Sequence, residues 1–73
     1  MLERRDNVIG TVSYAYGKKC FVRLKDVDCL AYFYGNATIG DQVLLTVVRN
    51  DQAEAYIKCS LDSFLQYAPL KAG

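Results

Sequence analysis

The sequence predicts an all-β fold, a small closed barrel of five strands in a single domain spanning 1–73, and three observations lead to this prediction. The chain has 73 residues, enough for one small domain. Its apolar fraction of 52% indicates a packed core rather than disorder. Short runs of β-forming residues alternate with turn residues throughout the chain. Five strands in about 55 residues are too few for two packed sheets, whereas a barrel buries one face of every strand and removes exposed edges.

Turn residues separate the five predicted strands. Gly17 and the two lysines after it form a tight tip between the first two runs, and Lys25 with Asp26 interrupts the chain before the third. The loop "YGNATIGD" precedes the fourth run, and "RNDQ" follows it. In chain order, the predicted strands are 8–16, 20–24, 27–33, 42–48 and 55–61.

The two ends of the chain are expected to lie outside the barrel. After the fifth run, the segment "DSFLQYA" is expected to form one helical turn, capped by Asp62 or Ser63 and stopped by Pro69. The barrel itself is expected to cover about 8–62. The ends expected to be flexible are 1–6 and 68–73.

Charge and residue content limit the possible functions. The formal net charge is +1, so any binding of nucleic acid would need a local concentration of positive charge. There is no apolar run of about 18 residues and no secretory signal, so we expect a cytoplasmic protein without a membrane helix. Reduced thiols are expected for the odd number of cysteines, 3 in all. Without histidine or metal-ligand spacing, neither an enzyme nor a cofactor or metal site is expected.

Alternation along the second and fifth runs predicts one aliphatic face and one face of aromatic and basic residues. On the aromatic and basic face, the second run places Phe21 and Arg23. The fifth run places Tyr56 and Lys58 on the corresponding face. The aliphatic faces, which we expect to form the core, consist of Cys20, Val22, Leu24, Ile57, Cys59 and Leu61.

The fourth run is apolar on both faces. Val43, Leu45 and Val47 lie on one side, and Leu44 and Val48 lie on the other. This pattern suits a central strand that is covered on both sides. It also suits a surface for a protein partner, contacted through Leu44 and Val48.

Strand number and loop lengths favour a barrel of the OB type over an SH3-like barrel. Six motifs in chain order add to this expectation: Gly10-x-Val12, Phe21-Val22-x-Leu24, Val27-Asp28-Cys29-Leu30-x-Tyr32, Gly40-Asp41-x-Val43-x-x-x-Val47, Asp51 and Ile57-x-Cys59-Ser60-Leu61. Together they resemble an S-one domain, the RNA-binding OB fold named after the large ribosomal protein of the small subunit. The resemblance covers residues 8–62. Bacterial translation initiation factor one is a more distant likeness, through Gly-Thr-Val and Gly-Asp-x-Val.

The resemblance implies a single-stranded nucleic acid as ligand and suggests which residues contact it. Phe21 takes the position of the family's base-stacking phenylalanine. Tyr32 takes the position of a ligand-facing histidine in the family's third strand. Tyr56 takes the position of an arginine that precedes the isoleucine of the last strand. A further aromatic position before the first turn falls on Lys18 or, with a small shift, on Tyr16.

The stretch "DCLAYFYGN" contains the most crowded aromatic residues of the chain and departs from the family. The resemblance implies that Leu30 and Phe33 are core residues and that Tyr32 faces the ligand, and it suggests no role for Tyr34. Cys29 stands where the family has glycine, and the following loop, about seven residues long, is shorter than usual.

These residue types suit weak binding of single-stranded RNA or DNA with little sequence preference. Flat rings stack on bases, and cations contact phosphates. The low net charge predicts weak binding, because few phosphates would be neutralised. The alternative is a protein–protein interaction module that has lost nucleic-acid binding. The expected nucleic-acid site consists of Phe21, Tyr32, Tyr56, Tyr16, Lys18, Lys19, Arg23, Lys58 and Arg49.

Overall fold

A computed structural model describes residues 2–51 and 53–67 as a closed five-stranded barrel. Neighbouring strands follow the order β1-β2-β3-β5-β4, and β4 pairs with β1 to close the barrel. Every pairing is antiparallel except that of β3 with β5. This is an OB-type barrel, so the predicted all-β fold class is confirmed. The strands are β1 (Asn7–Tyr16), β2 (Lys19–Leu24), β3 (Leu30–Tyr34), β4 (Gln42–Arg49) and β5 (Tyr56–Gln66).

The helical turn predicted after the fifth strand is wrong for 62–66, because β5 continues through these residues to Gln66. Here β5 pairs with β4, and Phe64 lies opposite Val43 and packs against the core. Asp62, expected to cap a helix, instead accepts a hydrogen bond from the Thr46 hydroxyl. Long-range pairing and burial of the ring therefore outweigh the local capping signal.

The third strand is shorter at its start than predicted. Residues 25–28 form a bend, and β3 begins at Leu30. The Leu24 amide donates to the Cys29 carbonyl oxygen at 3.1 Å, which closes this bend. The two aspartates of the bend therefore lie outside the paired part of β3, as expected for a residue type that is rare in strands.

The N-terminal residues 2–6, predicted to be flexible, lie beside β4. The Arg5 amide donates to the Val47 carbonyl oxygen at 2.8 Å. Pro69 and the segment 68–73 lie outside the described residues. Within residues 2–51 and 53–67, no helix is long and apolar enough to cross a membrane.

The core is formed by the inward-facing side chains of all five strands. Phe33 and Leu45 are its largest fully buried members. The predicted aliphatic faces of the second and fifth strands are confirmed as core, with Leu61 half-buried at its edge. On the fourth strand, which is apolar on both faces, Val43 and Val47 are buried, whereas Val48 on the other face is exposed. The buried apolar residues are Val12, Cys20, Val22, Leu24, Ala31, Phe33, Val43, Leu45, Val47, Ile57 and Cys59.

Leu30 is not a core residue, contrary to the expectation from the family resemblance. β3 alternates strictly, so Ala31 and Phe33 point inward while Leu30 and Tyr32 lie on the outer face. Leu30 is half-buried there and lines a surface cleft with Tyr56.

The Gly-Asp-x-Val motif before the fourth strand has a structural role. Gly40 has a φ of 98°, a conformation that favours glycine. Its amide donates to the Val12 carbonyl oxygen at 2.8 Å, and the Val12 amide donates to the Asp41 carbonyl oxygen at 2.9 Å. The buried Asp41 carboxylate accepts from the Thr38 amide at 2.9 Å. These bonds hold the short loop between β3 and β4 against β1.

Gly10 lies where β1 is packed closely against β2. A Cβ at this position would overlap the Val22 Cγ1 methyl and lie 2.9 Å from the Arg23 carbonyl oxygen. Since the carbonyl belongs to a paired strand, it cannot move without disturbing the ladder.

We expect Gly10→Ala to lower the free energy of unfolding by about 1–3 kcal/mol, the usual cost of overpacking. Urea denaturation followed by circular dichroism measures this change. The control is Gly17→Asn in the β1–β2 turn, where a Cβ would meet no atom within 4 Å. Its φ is 62°, a conformation that asparagine tolerates better than most residues, so the loss of stability should be smaller. Equal stability of Gly10→Ala and the parent chain would contradict the close packing.

Two buried thiols have raised pKa values. Burial raises the pKa of Cys59 from 9.0 to about 11. Burial also raises the pKa of Cys20, and the nearby Asp41 carboxylate adds to this shift. Folding therefore favours the neutral form of both thiols. The free energy of unfolding that this preference contributes is fully present below pH 9, and it is lost as the pH rises through the folded-state pKa.

Between pH 9 and 11 we expect the ionisation of Cys59 to lower the free energy of unfolding of the parent chain by about 2 kcal/mol. Any change caused by other titrating groups adds to this loss. The variant Cys59→Ala lacks this titrating group, so its stability should fall less steeply over the same range. Urea midpoints at several pH values compare the two. Parallel curves would show that burial does not perturb Cys59.

Candidate nucleic-acid interface

The outer face of the barrel carries aromatic and basic side chains in cross-strand rows. In one row, Tyr14, Phe21 and Tyr32 are successive partners on β1, β2 and β3. Directly opposed residues project to the same side of a sheet, so these rings share one surface. The flanking rows consist of Tyr16, Lys19 and Tyr34 on one side and Arg23, Leu30 and Tyr56 on the other.

A β-bulge places Tyr14 on this outer face. Strict alternation from the buried Val12 would turn Tyr14 inward, but the pairing register shifts between these two residues. Ser13 is the extra residue, and its hydroxyl donates to the Phe21 carbonyl oxygen at 3.3 Å. Beyond the bulge, Tyr14 pairs with Phe21 and is 53% exposed.

Three rings form a contiguous platform, defined here as Tyr14, Phe21 and Tyr56. The centroids of Tyr14 and Phe21 are 6.1 Å apart, and those of Phe21 and Tyr56 are 5.2 Å apart. The second pair meets edge to face, with 65° between the ring planes. Phe21 is the central ring, because it contacts both neighbours.

Lys19 joins this platform to a second aromatic pair. Its Nζ atom lies 5.4 Å from the Phe21 ring centroid and 4.5 Å from that of Tyr32. Tyr32 in turn contacts Tyr34 at 5.9 Å, with the ring planes at 89°. A cation is thus held at the centre of the aromatic surface by attraction to the ring faces.

Two shallow clefts flank the contact between Phe21 and Tyr56. The first, of about 340 Å³, also contains Lys19, Tyr32 and Glu54. The second, of about 440 Å³, is lined by Ser13, Tyr14, Phe21, Arg23, Leu30 and Tyr56. Each cleft therefore combines flat rings with one cation, the combination that single-stranded nucleic acid requires.

The structure brings five of the predicted site residues together at these two clefts. They are Phe21, Tyr32, Tyr56, Lys19 and Arg23. Each comes from β2, β3 or the start of β5, the strands expected to form the site.

The other predicted site residues lie around this surface. Tyr16 is 75% exposed and pairs with Lys19 at the end of β1, and Lys18 is exposed in the adjoining turn. Lys58 is the partner of Tyr32 but lines a separate groove with Arg49.

Glu54 brings negative charge to the edge of the first cleft. Its carboxylate lies 3.6 Å from a guanidinium nitrogen of Arg49. Both side chains are well exposed, so this ion pair contributes little to stability. It does reduce the positive charge that Arg49 offers to an anion.

Sequence reasoning missed four residues of this surface: Tyr14, Leu30, Tyr34 and Glu54. The tyrosines of "VSYAY" were a visible signal, but the bulge that orients Tyr14 outward was not. Because side chains alternate along a strand, the outward position of Tyr32 could have placed Leu30 and Tyr34 on the same outer face. Nothing in the sequence indicated that Glu54 lies beside Arg49.

The residues considered for a protein partner line two grooves other than these two clefts. Leu44 is half-buried in an apolar groove with Val8 and Ile9. Val48, 40% exposed, lines the groove that contains Lys58.

All three cysteines are free thiols in the part of the chain that the structure describes. Cys20 and Cys59 are buried free thiols, and Cys29 is an exposed one. Residues 2–51 and 53–67 contain no group of three or more ligating side chains that could hold a metal ion.

No protein-family model matches the chain, and no curated protein shows significant similarity to it. The likeness to S-one domains therefore stays a prediction made from the residues, and the functional argument below depends on the geometry of the site.

Proposed function

We propose that this protein binds single-stranded RNA or DNA, weakly and with little sequence preference, on the outer face of β2, β3 and the start of β5. The observation that carries the proposal is the contiguous platform of Tyr14, Phe21 and Tyr56 beside the cation of Lys19. The face formed by strands 2 and 3 is where OB barrels bind oligonucleotides.

The exposed rings supply the attraction to bases. Phe21 lies on the outer face of β2 and is half-buried, whereas Val22 points into the core. A base stacked on such a ring gains about 1–3 kcal/mol, and any base can do so because each has a flat π-face. The platform therefore supports binding without sequence preference.

The cations on the same face suit phosphate contacts. Lys19 and Arg23 flank the rings, and Lys18 lies in the turn at one end. Because Lys19 rests over aromatic rings, a stacking base must displace its ammonium group, which can then contact a phosphate. Few phosphates would be neutralised, and Glu54 opposes them, so the affinity should be low.

The alternative of a protein-docking module has less support from the geometry. Leu44 and Val48 line different grooves, and among the described lining residues these grooves share only Leu2. The groove of Val48 also contains Arg4, Arg49 and Lys58, and such a charged lining differs from the apolar core of a protein interface.

We expect Phe21→Ala and Tyr32→Ala each to weaken binding about fivefold or more, because each removes a stacking surface. Fluorescence anisotropy with labelled 12-nucleotide mixed-sequence RNA and DNA, in 50 mM salt, measures the change. Phe21→Leu and Tyr32→Leu keep an apolar side chain without a ring and should show the same loss. The matched control is Tyr67→Ala, because Tyr67 is 68% exposed, stacks on Phe64 and lines neither cleft. Thermal melting of each variant verifies that the fold is kept.

The salt dependence of binding distinguishes nucleic-acid binding from the alternative of a protein-docking module. Binding of the RNA probe by the parent chain should weaken steeply between 50 and 200 mM salt, by about 0.7 logarithmic units per tenfold salt increase for each phosphate contacted. An apolar interface would hardly respond. Absence of binding to both probes at 50 mM salt would refute the nucleic-acid proposal.

A further inference from the structure

One cross-strand row crosses all five strands and changes from aromatic to basic along its length. Its members are successive pairing partners: Tyr14 on β1, Phe21 on β2, Tyr32 on β3, Lys58 on β5 and Arg49 on β4. Neighbouring strands are about 4.8 Å apart, so the four steps of the row cover about 19 Å along the curved surface of the barrel. Rings that suit bases are therefore continued by cations that suit phosphates.

The basic end of this row opens into a groove of about 500 Å³. The N-terminal segment forms one wall and is held in place at two points. The Arg5 amide donates to the Val47 carbonyl oxygen, and the Asn50 side-chain amide donates to the Leu2 carbonyl oxygen, both at 2.8 Å. The residues that line the groove include Leu2, Arg4, Val48, Arg49, Asn50 and Lys58.

Three cations and one carboxylate line the groove, and a second carboxylate contacts one of the cations. Arg4, Arg49 and Lys58 line it together with Glu3, and Glu54 pairs with Arg49 from outside. The pair is long, at 3.6 Å, and exposed, so a competing anion can replace the carboxylate at little cost. A phosphate accepts two parallel hydrogen bonds from a guanidinium, which makes it a strong competitor.

We infer that this groove is a phosphate-binding subsite for the strand whose bases stack on Phe21 and Tyr32. The inference rests on the proposed function and extends it. The strand crosses the barrel along the row, from the aromatic platform to the groove. The ion pair of Arg49 with Glu54 opens when a backbone phosphate enters.

The first test measures how salt affects binding of a fluorescein-labelled 12-nucleotide oligouridylate. The double variant Arg4→Gln/Lys58→Gln should bind at least about fivefold more weakly, and its log–log salt slope should be smaller by about 1.4, or 0.7 for each lost phosphate contact. The control is Lys25→Gln, because Lys25 lies in the bend after β2 and lines neither the groove nor the two clefts. Its salt slope should equal that of the parent chain.

The second test uses Glu54→Gln, which frees Arg49 without removing a cation. We expect binding of the same probe to become about threefold tighter, since a like charge is removed from the phosphate path. Unchanged or weaker binding would overturn the opening of the ion pair.

The subsite and the proposed function fail in different ways. If the parent chain binds the probe and Phe21→Ala weakens it, while Arg4→Gln/Lys58→Gln leaves the salt slope unchanged, the subsite is refuted and the proposed function stands. If the parent chain binds no probe, both are refuted.

Discussion

The short parallel pairing between β3 and β5 is the contact on which the candidate site depends. Only three residue pairs form it, Leu30 with Tyr56, Ala31 with Ile57 and Tyr32 with Lys58. The middle pair belongs to the core, and the outer two belong to the surface. This pairing therefore brings the ring centroid of Tyr56 within 5.2 Å of that of Phe21 and sets Lys58 next to Tyr32. Burial of Ala31 and Ile57 in the core therefore also positions Tyr56 and Lys58 on the outer face.

Local irregularities orient the side chains that closure brings together. The bulge at Ser13 turns Tyr14 outward, beside Phe21, and it keeps Val12 in the core. Gly10 allows β1 to approach β2 closely just before this point. Bulges commonly redirect side chains near functional sites, and this one adds a third ring to the platform. Without it, strict alternation would direct the Tyr14 ring towards the barrel interior.

A nearly neutral chain can still offer a cationic path, because charge acts locally. The net charge is +1, yet Lys19, Arg23 and Lys58 lie on or beside one aromatic surface. Salt screens exposed charges beyond about 8 Å at physiological ionic strength, so distant acidic residues matter less than Glu54 at the edge of the cleft. Under the proposed function, removal of the Glu54 carboxylate, which pairs with Arg49, is expected to raise the affinity. The same chemistry explains why weak binding is expected rather than tight binding.

The sequence by itself determined the strand number, the all-β class, most of the core and the aromatic and basic face of β2. These follow from alternation and turn residues, which act between neighbours in the chain. Only the tertiary structure decided that β5 continues through 62–66 and that Tyr14 joins the platform. It also decided that Glu54 pairs with Arg49 and that the N-terminal segment forms a groove with β4. These features arise from register, bulges and contacts between distant segments, whose energies no local pattern encodes.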